Sequence, residues 1–115
     1  MTIASNVALV GGLCYHHREL LPLLEEHLQD NDGEVLAHVL LSEIIQWLNQ
    51  HYKEHPVLCR QVWNWLEQAY IQGDDDERDL VAASGVDLIP RPGLPGSEIR
   101  FMLGPSLRQV DPWRG

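Results

Sequence analysis

The sequence has 115 residues, 44% of them hydrophobic, which is enough for one domain with an apolar core and argues against wholesale disorder. Its formal net charge is −9, since seventeen Asp and Glu face eight Lys and Arg. A surface that binds DNA or RNA needs a basic stripe, so direct nucleic-acid binding is not expected. Two cysteines are too few for a disulfide scaffold. Reduced thiols are expected, although one bridge between Cys14 and Cys59 is compatible with the sequence.

The sequence shows no signal for a membrane or for secretion. No stretch reaches the roughly 18 apolar residues that span a bilayer. The mildly apolar start has no basic residues before it, as a secretory signal normally does. A cytoplasmic location without membrane contact is therefore predicted.

The spacing of apolar residues is helical almost throughout. Residues 16–33 form the first predicted helix, with "DNDG" as its stop signal. Residues 34–52 are apolar on several sides, which predicts a central, buried helix. Residues 56–73 follow, with Pro56 in the first turn and Gly73 as the C-terminal cap. Residues 1–13 have no clear period and fit either a short helix or a strand.

The acidic run "DDDE" is placed at the start of a fourth helix. Asp74 is a suitable N-cap, and Glu77, three residues later, completes a capping box. Asp75 and Asp76 fall in the first turn, where negative charge meets the positive end of the helix dipole. A calcium loop would need spaced oxygens and a glycine at its sixth position, so no metal is expected here.

A connector rich in Pro and Gly at 90–96 precedes the fifth predicted helix, residues 97–110. Ser97 is its expected cap, and Gly104-Pro105 should break or kink it. Residues 111–115 are expected to form a loose tail. The predicted fold is a single compact all-α domain of about five helices that covers residues 1–115.

No constellation in the sequence favours an enzyme, a metal or a cofactor. His51 and His55 have the i, i+4 spacing of a metal site, but a polar helix end explains them as well. His38 is expected to be partly buried and bonded to a backbone group. Cys14 stands close to His16, but a nucleophile needs a base held by the fold rather than by sequence adjacency. A non-enzymatic protein is therefore predicted.

The aromatic residues of the third predicted helix allow two interpretations. Trp65 lies on the core stripe, whereas Trp63 and Tyr70 lie on a second stripe with Cys59. Either this second stripe is an interface hot spot beside acidic residues, or the helix is buried on two sides. The predicted partner-binding residues are listed here: Trp63, Tyr70, Asp74, Asp75, Asp76 and Glu77.

Three segments carry a resemblance to a known family: "ELLPLLEEHLQDNDGEVLAHVLLSEIIQWL", "LEQAYIQGDDDERDLVAASGVDLI" and "FMLGPSLR". They resemble a family of small, uncharacterised, all-helical bacterial proteins, and the resemblance covers roughly residues 19–108. Some members look like immunity proteins, which neutralise toxins delivered between competing bacteria. The resemblance implies an inhibitor that occludes the basic active site of a cognate toxin. The alternative is a general helical interaction or adaptor module without a toxin partner.

Overall fold

Helices and short helical turns account for all regular structure in the computed structural model, which describes residues 2–113 and the side chains of residues 5–113. The five helices of ten or more residues within this range are α1 (Thr2–His16), α2 (Leu21–Asp30), α3 (Ala37–His51), α4 (Pro56–Gln72) and α5 (Asp75–Ser84). The shorter elements are the 3-10 turns Arg18–Leu20, Val86–Leu88 and Ser97–Met102, and the four-residue helix α6 (Pro105–Arg108). The all-α, single-domain fold is confirmed.

Helix α1 resolves the ambiguity of the N-terminal region in favour of a helix. It packs against α2, α3, α4 and α5, and it fully buries Val10 and Leu13. Gly12 lies against α4, where a side chain at this position would meet the Trp65 ring at 3.6 Å. Because a helix with neighbours on several sides needs no single apolar face, its sequence shows no clear period.

Helix α3 contributes five fully buried side chains to the core, but it is not buried on several sides as predicted, because Gln46 and Gln50 are exposed on its opposite face. Its buried side chains are Leu40, Leu41, Ile44, Ile45 and Leu48, each 0% exposed. The helix begins at Ala37 rather than at residue 34, because Leu36 has an extended backbone (φ −99°, ψ 97°). The buried His27 of α2 stabilises this start, since its Nε2 accepts the Leu36 backbone N–H at 3.0 Å.

The first predicted helix, residues 16–33, is in fact interrupted. Residue His17 leaves the helical region (φ −125°, ψ 85°), a 3-10 turn follows, and α2 begins at Leu21 with Pro22 in its first turn. The stop signal is confirmed, since Asp32 and Gly33 adopt positive φ values of 55° and 83°. Left-handed residues of this kind end a helix.

The prediction of one continuous fifth helix over residues 97–110 is wrong. The chain forms a 3-10 turn that ends at Met102 and then α6, which begins at Pro105, so the helix is broken next to Gly104-Pro105 as expected. Ser97 is not a cap: Gly96 holds the position before the turn with a left-handed backbone (φ 91°), and no side chain caps it.

A buried carboxylate from α4 explains the "LGPSLR" segment. The two oxygens of Glu67 accept the backbone N–H groups of Ser106 and Leu107, each at 3.0 Å, and Glu67 is 6% exposed. A Cβ at Gly104 would lie 2.6 Å from the Glu67 carboxyl carbon. Glycine is therefore required where the chain passes this carboxylate, and α6 is capped from a distant helix.

The tail predicted for residues 111–115 is not loose at its beginning. Asp111 is 5% exposed, and its carboxylate accepts from Arg100 Nε at 2.9 Å. Arg100 also donates to the Pro90 carbonyl at 2.7 Å, so it ties three parts of the C-terminal segment together. Residues 112–113 of the predicted tail form a turn, and residues 114–115 lie outside the described residues.

Candidate functional site: the acidic surface at the start of α5

The capping box predicted from sequence is confirmed at the junction of α4 and α5. Asp74 Oδ1 accepts the Glu77 backbone N–H at 2.9 Å, and Glu77 Oε1 accepts the Asp74 backbone N–H at 3.0 Å. Gly73 ends α4 with an extended backbone rather than a left-handed one (φ −82°, ψ 165°). A Cβ at this position would lie 2.7 Å from the Ala69 carbonyl oxygen. Only glycine therefore allows the chain to turn this tightly.

Three further carboxylates extend from this fixed helix start into solvent. Asp75, Asp76 and Asp79 are exposed and form no hydrogen bond or ion pair with any described residue. We call Asp74, Asp75, Asp76, Glu77 and Asp79 the acidic surface. Two of its members hold the cap, and the other three remain available for a partner.

Arg78 lies within the acidic run but points back onto α4. Its Nε donates to the Tyr70 carbonyl at 3.0 Å, and its Nη2 donates to the Ile71 carbonyl at 3.3 Å. Its guanidinium carbon lies 5.5 Å from the centre of the Tyr70 ring. Tyr70 is therefore half-buried and partly covered by Arg78, while Ile71 next to it is exposed.

The prediction that Trp63 belongs to an exposed partner-binding stripe is wrong. Its side chain is 0% exposed, as is that of Cys59 one turn earlier. The alternative interpretation, a helix buried on two sides, holds for both residues, because α4 packs against α1 and also against α6. The indole Nε1 of Trp63 has no hydrogen-bond partner among the described residues.

Trp65 takes the position at the surface that the sequence had given to Trp63. It is half-buried and lines a groove of about 570 Å³ between α1 and the end of α4. The groove is also lined by Ala8 and Ala69, and it reaches Gly73 and Glu77 at the capping box. We call it the Trp65 groove. It adjoins the acidic surface, so the structure brings an aromatic ring and a cluster of carboxylates together.

Trp65 and Ile71 belong to this region, although neither was predicted as a binding residue from the sequence. The Trp65 groove has one wall in α1, which the sequence left undecided, so no pattern within α4 alone could reveal it. Ile71 lies two residues before Gly73, at the end of α4, and is 46% exposed.

The rings of His38, His51 and His55 contact neighbouring protein groups. The His51 ring stacks on Trp47 with centroids 4.5 Å apart, and its Nδ1 lies 2.8 Å from the Trp47 carbonyl oxygen. The His55 ring lies 5.3 Å from the same indole. His38 differs from expectation, because it is exposed and its Nδ1 pairs with the Ser84 hydroxyl at 2.7 Å. Within the described part of the chain, no three His, Cys, Asp or Glu residues are grouped to hold a metal.

Both cysteines are buried free thiols. Burial raises the pKa of Cys14 to about 11. Burial also raises the pKa of Cys59 to about 11, although the Trp63 side chain and the charge of Arg60 act in the opposite direction. A thiol with such a pKa is protonated at neutral pH and is a poor nucleophile.

Comparison with known proteins identifies no relative: no protein-family model, curated protein or solved structure matches the chain. Among the described helices, none has both the length and the apolar character that crossing a membrane requires.

Proposed function

We propose that the protein is a non-enzymatic inhibitor that binds a basic protein through its acidic surface. The observation that carries the proposal is the set of unpaired carboxylates on Asp75, Asp76 and Asp79, held at a capped helix start. A site that is rigid before binding loses less conformational entropy when the partner docks. The capping box therefore serves the fold and presents the binding charges in a fixed geometry.

The Trp65 groove supplies the apolar part of the proposed interface. Interfaces combine an apolar, aromatic-rich centre with a polar rim, and tryptophan is enriched among the residues that dominate binding energy. Here a half-buried indole and the exposed Ile71 lie beside the carboxylates. A Lys or Arg of the partner fits this arrangement, since its stem packs on Trp65 while its charge meets the carboxylates.

The most specific form of the proposal is an immunity protein that acts in the cytoplasm on a cognate bacterial toxin. It is supported by the family resemblance of the sequence and by the charge of −9, which favours rapid association with a basic partner. A toxin whose active site binds nucleic acid presents such a basic surface. Covering that surface would exclude its substrate.

The non-enzymatic part of the proposal is supported by the state of the two thiols. Cys14 and Cys59 are the strongest potential nucleophiles in the sequence, and both are 0% exposed. With pKa values of about 11, neither supplies an accessible thiolate at neutral pH.

The test is co-expression with the product of the adjacent reading frame, scored both by co-purification and by growth rescue. The double substitution Asp75→Asn/Asp76→Asn should reduce both, because it removes two binding charges and keeps the cap. The matched control is Glu25→Gln/Glu26→Gln, which removes two exposed charges from α2 and should leave both readouts unchanged.

The two readouts separate the inhibitor from the adaptor alternative. Co-purification together with growth rescue supports the inhibitor. Co-purification of a product that is harmless when expressed alone supports an adaptor. Equal loss of binding in the α2 control and in the Asp75/Asp76 variant would contradict a localised acidic site.

A further inference from the structure

A second surface, of different character, lies on the C-terminal segment. A groove of about 710 Å³ runs between the turn at residues 97–102 and the chain after α6. Phe101 is 80% exposed and Trp113 is 51% exposed, and both line this groove. Phe101 is the single phenylalanine of the chain. Exposed aromatic side chains that gather around one groove mark an interaction site rather than scattered surface residues. We call it the Phe101 groove.

The Phe101 groove is held in place by its own lining. Arg100 donates to the Asp111 carboxylate through Nε at 2.9 Å and through Nη2 at 3.4 Å. Asp111 Oδ1 also accepts the Trp113 backbone N–H at 3.0 Å. These bonds link the chain segment that carries Phe101 to the segment that carries Trp113. The two aromatic rings are therefore presented on a connected scaffold.

The electrostatics of the Phe101 groove leave one uncompensated positive charge. Arg100 and Asp111 neutralise each other, whereas Arg108 is exposed and pairs with no described residue. Glu98, the other acid of this segment, bonds the Tyr52 hydroxyl and the Gly96 backbone N–H and lines a separate cleft. Among the described residues that line the Phe101 groove, Arg108 therefore carries the one charge without an opposite charge beside it, although the whole chain is acidic.

We propose that the Phe101 groove binds an apolar peptide segment of a partner protein, and that a carboxylate of this segment pairs with Arg108. A guanidinium binds a carboxylate in a bidentate geometry that a neutral amide cannot reproduce. Phe101 and Trp113 then enclose the apolar side chains next to that carboxylate. This partner chemistry is opposite to that of the acidic surface, so the inference stands independently of the proposed function.

The test is a double-mutant cycle measured by fluorescence anisotropy at about 150 mM salt. Two labelled nonapeptides are used, each with leucines around a central residue that is Glu in one and Gln in the other. Wild-type protein should bind the Glu peptide about tenfold more tightly than the Gln peptide, a difference of about 1.4 kcal/mol. With Arg108→Gln, the two peptides should bind equally.

Two further variants locate the site. Phe101→Ser should weaken both peptides about tenfold, since it removes an aromatic wall that both use. Arg18→Gln removes an exposed arginine that does not line the Phe101 groove and should change neither affinity. Because Phe101 and Arg108 are exposed, the variants should keep the wild-type circular dichroism spectrum.

Three results would overturn the inference. They are no binding of the Glu peptide at 1 mM, an unchanged preference for Glu over Gln in Arg108→Gln, and peptide binding that Phe101→Ser does not weaken. Sedimentation with phosphatidylglycerol vesicles is measured in parallel. Arg108-dependent capture by vesicles without binding of the Glu peptide would assign the groove to a membrane surface instead.

Discussion

The contact between Glu67 and Gly104 predicts a strong dependence of stability on two residues that are distant in sequence. Glu67→Ala removes the acceptor of two backbone N–H groups, those of Ser106 and Leu107. An unsatisfied buried donor costs about 1–3 kcal/mol, and the Ser106 N–H is only partly buried, so the variant should lose about 2–4 kcal/mol of unfolding free energy. This is a large part of the 5–15 kcal/mol that is typical of a domain. Glu67→Gln keeps one acceptor oxygen but turns its NH2 donor toward the second N–H group, so its loss should lie between half and all of that of Glu67→Ala.

The substitution Gly104→Ala tests the same contact from the other side. Its Cβ would lie 2.6–2.8 Å from three atoms of the Glu67 side chain, and overpacking of this kind costs about 1–3 kcal/mol. The backbone at Gly104 (φ −73°, ψ 175°) is ordinary for alanine, so no backbone strain is added. In the Glu67→Ala background the clash is absent. There, Gly104→Ala should cost less than about 0.5 kcal/mol or even stabilise the fold.

The assay is guanidinium chloride unfolding of the wild type, both single variants and the double variant, followed by tryptophan fluorescence and far-UV circular dichroism. The expected result is strong non-additivity, with the double variant close to Glu67→Ala alone. Additive losses would contradict the proposed contact, because they would mean that alanine at 104 disturbs something other than the Glu67 side chain.

Three further stability predictions come from individual hydrogen bonds. Asp74→Ala should lower the unfolding free energy by about 0.5–2 kcal/mol through loss of the cap, and Asp75→Asn should have a smaller effect. Equal midpoints of thermal unfolding for Asp74→Ala and wild type would contradict the role of Asp74 as a cap. His27→Phe should cost about 1–3 kcal/mol in urea unfolding, because the buried ring no longer accepts the N–H group at the start of α3; no loss would show that this bond is dispensable. Burial raises the pKa of the Asp111 carboxyl, but the hydrogen bonds from Arg100 and the Trp113 backbone and the charge of Arg100 together lower it below its ordinary value. The charged form is therefore favoured by folding, so Asp111→Asn should cost stability at neutral pH, and its difference from wild type should shrink as pH falls below about 4; a constant difference down to pH 2 would contradict the ion pair.

The parts of the fold that could be predicted from sequence are those that depend on neighbouring residues. The capping box joins Asp74 and Glu77 across one helical turn, so its residue types and spacing suffice to find it. The stop at Gly33 and the large contribution of α3 to the core are also encoded locally, in a left-handed turn and in a sequence dense in apolar residues. Each was confirmed.

The parts that escaped prediction depend on contacts between distant segments. Glu67 caps α6 although it lies 39 residues before Ser106 in the sequence. No residue near Glu67 indicates which N–H groups its carboxylate binds. Trp63 and Trp65 lie on nearly opposite sides of α4, and both are apolar. Which ring is buried was decided by the elements packed around α4, including α1, and the sequence left α1 open. The aspartates of the predicted binding surface are therefore exposed as expected, but the tryptophan beside them is Trp65 rather than Trp63.

We propose that the acidic surface recruits a basic protein by charge. The most direct test of this proposal is surface plasmon resonance against the adjacent-gene product at several salt concentrations, with the Asp75→Asn/Asp76→Asn variant and the Glu25→Gln/Glu26→Gln control. The association rate of wild type should fall steeply between about 20 and 150 mM salt, while the dissociation rate changes little. The Asp75/Asp76 variant should associate more slowly and depend less on salt, and the control should resemble wild type. An association rate independent of salt, together with unchanged binding by the Asp75/Asp76 variant, would leave the acidic run as the start of a helix and nothing more.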